Sequence, residues 1–109
     1  METNVKSLVH FDFQDGFIND TIILKVNGNE EFSKQNITTD HRISLAESVT
    51  TEILNGQVKI EVIIPTKNLS LSKTVQINSE KYFGISIINN DTETSLLNFI
   101  EFAKPPAYR

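Results

Sequence analysis

The chain has 109 residues, 39% of them hydrophobic, which suits one domain with one modest core. It contains no cysteine, so disulfides, thiol catalysis and thiolate zinc sites are excluded. A formal net charge of −4 speaks against a nucleic-acid surface or an anionic membrane as partner.

No apolar run reaches the roughly 18 residues that a membrane helix needs. The opening Met1-Glu-Thr-Asn-Val-Lys carries no apolar leader, so the expected location is cytoplasmic. Residue choice favours strands. Isoleucine, valine and threonine number 14, 7 and 10, together 31 β-branched residues against three alanines. Such side chains are stiff at χ1 and fit a pleated surface better than a helix. Eleven asparagines supply turn chemistry, because Asn tolerates left-handed backbone.

In chain order, alternation first appears over residues 5–13, where Val5, Val9, Phe11 and Phe13 share one parity. Gln14-Asp15-Gly16 breaks it. Residues 21–26 align Ile22, Leu24 and Val26, and Asn27-Gly28 then predicts a tight hairpin into a short strand at 30–33. A polar loop over 34–40 follows, then a strand at 42–46 that bends into another at 48–54. Asn55-Gly56 leads into 58–64, the clearest strand, with Val58, Ile60, Val62 and Ile64 in phase. Pro65 ends it. A loop over 66–72 precedes strands at 73–78 and 81–88, the latter aligning Phe83, Ile85 and Ile87. Residues 95–102 read as a final strand, although Leu96, Ile100 and Ala103 also fit helical spacing.

These eight or nine short strands predict an all-β fold, an antiparallel β-sandwich, with a small barrel as the alternative. The domain is expected to span residues 1–103, with 104–109 as a tail. Likeness to immunoglobulin, fibronectin or transthyretin sandwiches is one of architecture alone and carries no function.

Antiparallel succession has a consequence for function. Connections must alternate between two poles, with tight turns at 27–28, 55–56 and 79–80 gathered at one. The longer connections at the other pole carry Asp15, Asn19, Asp20, Asp40, Asn68, Asn90 and Asp91. Long loops on a rigid scaffold are favoured binding positions, so these residues are the candidate partner site. No cofactor is expected. Asp15, Asp20, Asp40 and Asp91 form the alternative, a calcium site, since that ion takes carboxylate and amide oxygens. The chain has no Asp-x-Asp-x-Asp loop to support it.

A hydrolase would have to use His10 and Asp12, which lie two residues apart on one strand face. His41 adjoins Asp40, but strand neighbours point to opposite faces. No Gly-x-Ser-x-Gly elbow is present among the 19 hydroxyl residues, and the expectation is no enzyme. Sugar binding would want exposed aromatic platforms; there is no Trp, and Tyr82 is the one Tyr placed opposite core parity. Asn19, Asn36, Asn68 and Asn90 each begin an Asn-x-Ser/Thr triplet, read here as turn chemistry. Pro105-Pro106-Ala107-Tyr108 fits the Pro-Pro-x-Tyr pattern read by WW domains. The acidic strand at 30–33 looks like a protected sheet edge, and 73–78 a less guarded one. Together these features predict a non-catalytic protein-binding or assembly module. Its partner is a protein or a second copy, engaged through the long loops or a sheet edge. A calcium-dependent or carbohydrate-binding sandwich is the alternative.

Overall fold

The structure, a computed structural model, describes residues 5–89 and 95–107. Eight strands form in chain order: β1 (Lys6–Phe13), β2 (Asp20–Val26), β3 (Asn29–Ile37), β4 (Glu47–Leu54), β5 (Gly56–Ile64), β6 (Leu69–Ile77), β7 (Lys81–Asn89) and β8 (Ser95–Phe102). They make two four-stranded sheets, ordered β4-β1-β7-β8 and β3-β2-β5-β6, stacked as a sandwich. Period-two alternation explains the stacking. Val9, Phe11 and Phe13 from β1 and Phe83, Ile85 and Ile87 from β7 point inward from one sheet. Ile22, Leu24 and Val26 from β2 and Val58, Ile60, Val62 and Ile64 from β5 meet them from the other.

The expected antiparallel pairing holds throughout except between β1 and β7, which run parallel. Strand direction alternates along the chain, so two odd-numbered strands that become neighbours are necessarily parallel. Three boundaries also differ from the sequence reading. Residues 41–44 form a turn, closed by a bridge between Asp40 and Leu45, where a strand was expected at 42–46, because Asp40 folds the chain back on itself. Its carbonyl accepts from Ser44 N (2.8 Å), its N–H donates to the Leu45 carbonyl (2.9 Å), and Ser44 takes φ +57°.

β3 runs on to Ile37, past the predicted end at residue 33. Two register shifts against β2 absorb the extra residues, and Asn36 adopts φ +59° at one of them. The predicted loop over 66–72 shrinks to the short 3₁₀ turn Pro65–Lys67 and Asn68. Asn68 at φ +54° reverses the chain, its N–H bonded to the Pro65 carbonyl, so Leu69 and Leu71 pair with Ile64 and Val62 in the ladder. Residues 95–102 are strand, not helix. Among the described residues, no helix is long and apolar enough to cross a membrane.

Candidate functional site

The strand directions do bring the connections 14–19, 38–46 and 65–68 to one pole. Hydrogen bonds between them prove the convergence. Thr39, 3% exposed, accepts from Phe17 N at 3.1 Å and donates to the Gln14 carbonyl at 2.6 Å, while its own N–H reaches the Phe17 carbonyl at 2.8 Å. Asn19 N donates to Thr38 Oγ1 at 2.9 Å. Asp20 is buried, and its carboxylate accepts from Ile18 N (2.9 Å), Thr66 Oγ1 (2.5 Å) and Lys67 Nζ (2.8 and 3.0 Å).

Two of the residues expected there, Asp20 and Asp40, act within the pole rather than outward. Asp20 ties the second strand to the 3₁₀ turn. Asp40 holds its own turn, accepting from Arg42 N at 3.0 Å and from the guanidinium at 2.9 and 3.1 Å. The hydrogen bonds from the Arg42 side chain and backbone lower the Asp40 carboxyl to about 2. Asn19 and Asn68 are exposed and occupy left-handed backbone at φ +49° and +54°, a conformation that Asn accepts at low cost. Asp15 is exposed, and its carbonyl accepts from Ile87 N at 2.8 Å. Asn90 and Asp91 lie outside the described residues. Among the described residues, no group of three or more His, Asp or Glu side chains is placed to hold a metal ion. Two of the four aspartates proposed for calcium are engaged with Lys67 and Arg42.

A second constellation lies on the outer face of the β4-β1-β7-β8 sheet. His10 and Asp12 share this face, as their spacing requires. Ladder register sets Thr50 of β4 on one side of His10 and Tyr82 of β7 on the other. The His10 and Tyr82 rings stack in parallel, 4.8 Å between centroids and 6° between planes. His10 Nδ1 contacts Thr50 Oγ1 at 2.9 Å and Nε2 contacts Glu80 Oε2 at 2.6 Å. Tyr82 also bonds Glu80, and partial burial, the Glu80 charge and that bond together raise its phenol above the usual range. Ser48 Oγ donates to Asp12 at 2.9 Å. The tail prolines Pro105 and Pro106 close one side, leaving a groove of about 340 Å³.

Sequence reading found His10, Asp12 and Tyr82 but missed Thr50, Glu80, Thr39, Thr66 and Lys67. All five act across strands or connections far apart in sequence, and no local motif marks such partners. Thr50, His10 and Glu80 form a hydroxyl–imidazole–carboxylate line. An acyl-transfer site would also need convergent donors for the developing oxyanion. The observed bonds of this line hold the His10 ring against Tyr82.

The four sheet edges differ in protection. β3 is exposed and twice bulged, with Glu30, Glu31 and Lys34 along it. β4 is tied to β3 by Lys34–Glu47 and Thr51–Glu31 bonds, each at 3.1 Å. β6, the edge expected to be open, carries Lys73 on its core-facing parity, opposite Ile60. Charged residues so placed discourage pairing. β8 pairs with β7 in unbroken register, and its single charge, Glu101, is held near its end by Lys81 at 3.2 Å. Leu96 and Ile100 on its outer face are 52% and 40% exposed, beside Ile88 at 45%. Compared with known proteins, the chain matches no family and no curated sequence.

Proposed function

We propose that this domain is a non-catalytic assembly module that recruits a second copy of itself by pairing strand β8 with its counterpart. The carrying observation is the self-complementary register of that strand. Ser95-Leu96-Leu97-Asn98-Phe99-Ile100-Glu101 reads polar, apolar, apolar, Asn, apolar, apolar, polar in either direction. An antiparallel two-fold centred on Asn98 sets Leu96 against the other copy's Ile100, and Leu97 against its Phe99. Glu101 then faces Ser95, so no like charges are opposed. Main-chain bonds along β8, the last strand of its sheet, supply affinity, and the exposed Leu96–Ile100 pairs supply register. The result is one continuous eight-stranded sheet. The long-loop pole, whose Asp20 and Asp40 are bonded within it, offers less to a partner.

Such an interface belongs to the small, transient class, for which a dissociation constant of about micromolar order is expected. Sedimentation equilibrium of the full chain between about 1 and 500 µM is expected to move from monomer mass to twice that mass. Leu96→Lys with Ile100→Lys sets lysines opposite lysines and keeps the chain monomeric. The two sites are about half exposed, so the cost to folding stability is about 1 kcal/mol each, and circular dichroism of the variant confirms that it is folded. Mixing that variant with Leu96→Glu/Ile100→Glu restores the pair as a mixed dimer. A chain that stays monomeric at the top of the range overturns the proposal, as does a lysine variant that dimerises as well as the parent.

A further inference from the structure

The groove on the opposite part of this sheet raises a separate question, because the chain's own tail forms one of its walls. Beyond β8 the tail does not run on along the edge. The Phe102 ring lies over Gly84, where an added Cβ would sit 2.6 Å from a ring carbon. The following residues turn inward across the outer face, and Pro105 and Pro106 reach the neighbourhood of Ser48 and Thr50 on β4. Pro106 is half-buried and Pro105 exposed.

We infer that this groove is a recognition site for basic, proline-rich extended segments, and that the chain's own 104–109 tail is one such ligand. Three features of the surface fit that chemistry. The His10 and Tyr82 rings, stacked face to face, form a rigid two-ring platform beside the tail prolines, and proline rings pack against aromatic side chains. Glu80 and Thr50 hold the platform in place through the bonds given above, so no side-chain ordering is required when a ligand lands. The described residues around the groove include the carboxylates of Asp12 and Glu80 and no lysine or arginine. The tail reads Lys104-Pro105-Pro106-Ala107-Tyr108-Arg109, with a cation on each side of its prolines. Consecutive prolines preset the extended left-handed helix, which lowers the entropy lost on docking. The seated prolines leave about 340 Å³ open, at the lower end of ligand-site volumes, so the groove accepts more than the tail fills. This site lies on β4, β1 and β7 and does not depend on β8 pairing.

The test uses the hexapeptide Lys-Pro-Pro-Ala-Tyr-Arg as probe, with the ring signals of His10 and Tyr82 followed by NMR in the full chain. Pro105→Ser with Pro106→Ser vacates the platform. It is expected to shift both rings and to bind the probe about tenfold tighter than the parent, because the tethered tail no longer competes. Glu80→Gln in that background weakens the probe severalfold, and so does a probe with Glu in place of its Lys and Arg. Tyr82→Ala abolishes the response, with Tyr82→Phe as the conservative variant that retains the platform. Unmoved ring signals in the double proline variant would overturn the inference. Probe affinity equal in the parent and the double variant, or indifferent to charge reversal, would do the same.

Discussion

Replacing Asp20 with alanine is expected to destabilise the fold by about 2–3 kcal/mol, the cost of removing a buried, charge-assisted acceptor while Lys67 keeps its access to solvent. The carboxylate is 1% exposed and accepts from a backbone amide, a hydroxyl and an ammonium at once. Its loss removes the acceptor of the Ile18 N–H and of the Thr66 hydroxyl and leaves Lys67 without its counter-charge. Thr66 also accepts from Thr21 N at 3.2 Å, so its displacement spreads into the start of β2. Asparagine retains an acceptor and loses the charge, so Asp20→Asn falls between parent and alanine. Urea unfolding at neutral pH measures both. A loss below about 1 kcal/mol for the alanine variant would mean that the pole is closed by its other bonds.

The same residue gives a pH signature. Burial pushes the Asp20 carboxyl upward, but bonds from Lys67, Thr66 and Ile18, with the Lys67 charge, outweigh it and hold the folded value below the ordinary 3.8. A folded pKa below the unfolded one means the folded state binds its proton later on acidification. The stabilisation is therefore complete above the unfolded value and is lost as pH falls through the depressed folded value. The stability gap between the parent and Asp20→Asn should be widest at pH 5 and above and should narrow toward pH 2. A gap constant across that range would sever the link between this carboxylate's charge and stability.

Much of the sandwich was legible because its signal is local. Val58, Ile60, Val62 and Ile64 alternate so regularly that β5 could be drawn from them alone, and all four are buried. The pole at which long connections gather also followed from strand direction, without any knowledge of strand order. What escaped was chemistry that acts between distant residues. Residues 42–46 alternate like a strand, yet Asp40 captures Arg42 and folds the chain back through a turn at 41–44. Leu69 and Leu71 looked like loop residues until Asn68 reversed the chain in one step. The sequence points to 73–78 as the less guarded edge, and β6 is indeed the last strand of its sheet. Edge protection depends on which face a charge occupies, and Lys73 takes the core-facing one while β8 has its only charge near its end. Glu80 lies 70 residues from His10, and only the parallel placement of β7 beside β1 joins them.

Gly16→Ala is expected to cost more than about 3 kcal/mol or to prevent folding, whereas Gly28→Ala should cost about 1–2 kcal/mol, the strain of a side chain in left-handed backbone. Both glycines have positive φ, +93° and +85°, so conformation alone would rank them as equals. Their surroundings differ. A Cβ on Gly28 meets nothing within 4 Å, while one on Gly16 would overlap the Ile87 carbonyl oxygen and stand 2.8 Å from the Ile87 Cβ. Neither atom can withdraw. Ile87 is buried in the core, and its N–H is bonded to the Asp15 carbonyl next to the glycine at 2.8 Å. Gln14 N is bonded to the Ile85 carbonyl at 2.7 Å, so two bonds stitch the first connection to the end of β7 just ahead of the contact. Relief would require unzipping those bonds and lifting the connection that carries Phe17 into the core. Thermal unfolding of the two variants side by side reads the difference. Equal losses would mean that left-handed backbone, and not close approach to β7, sets the requirement for glycine at position 16.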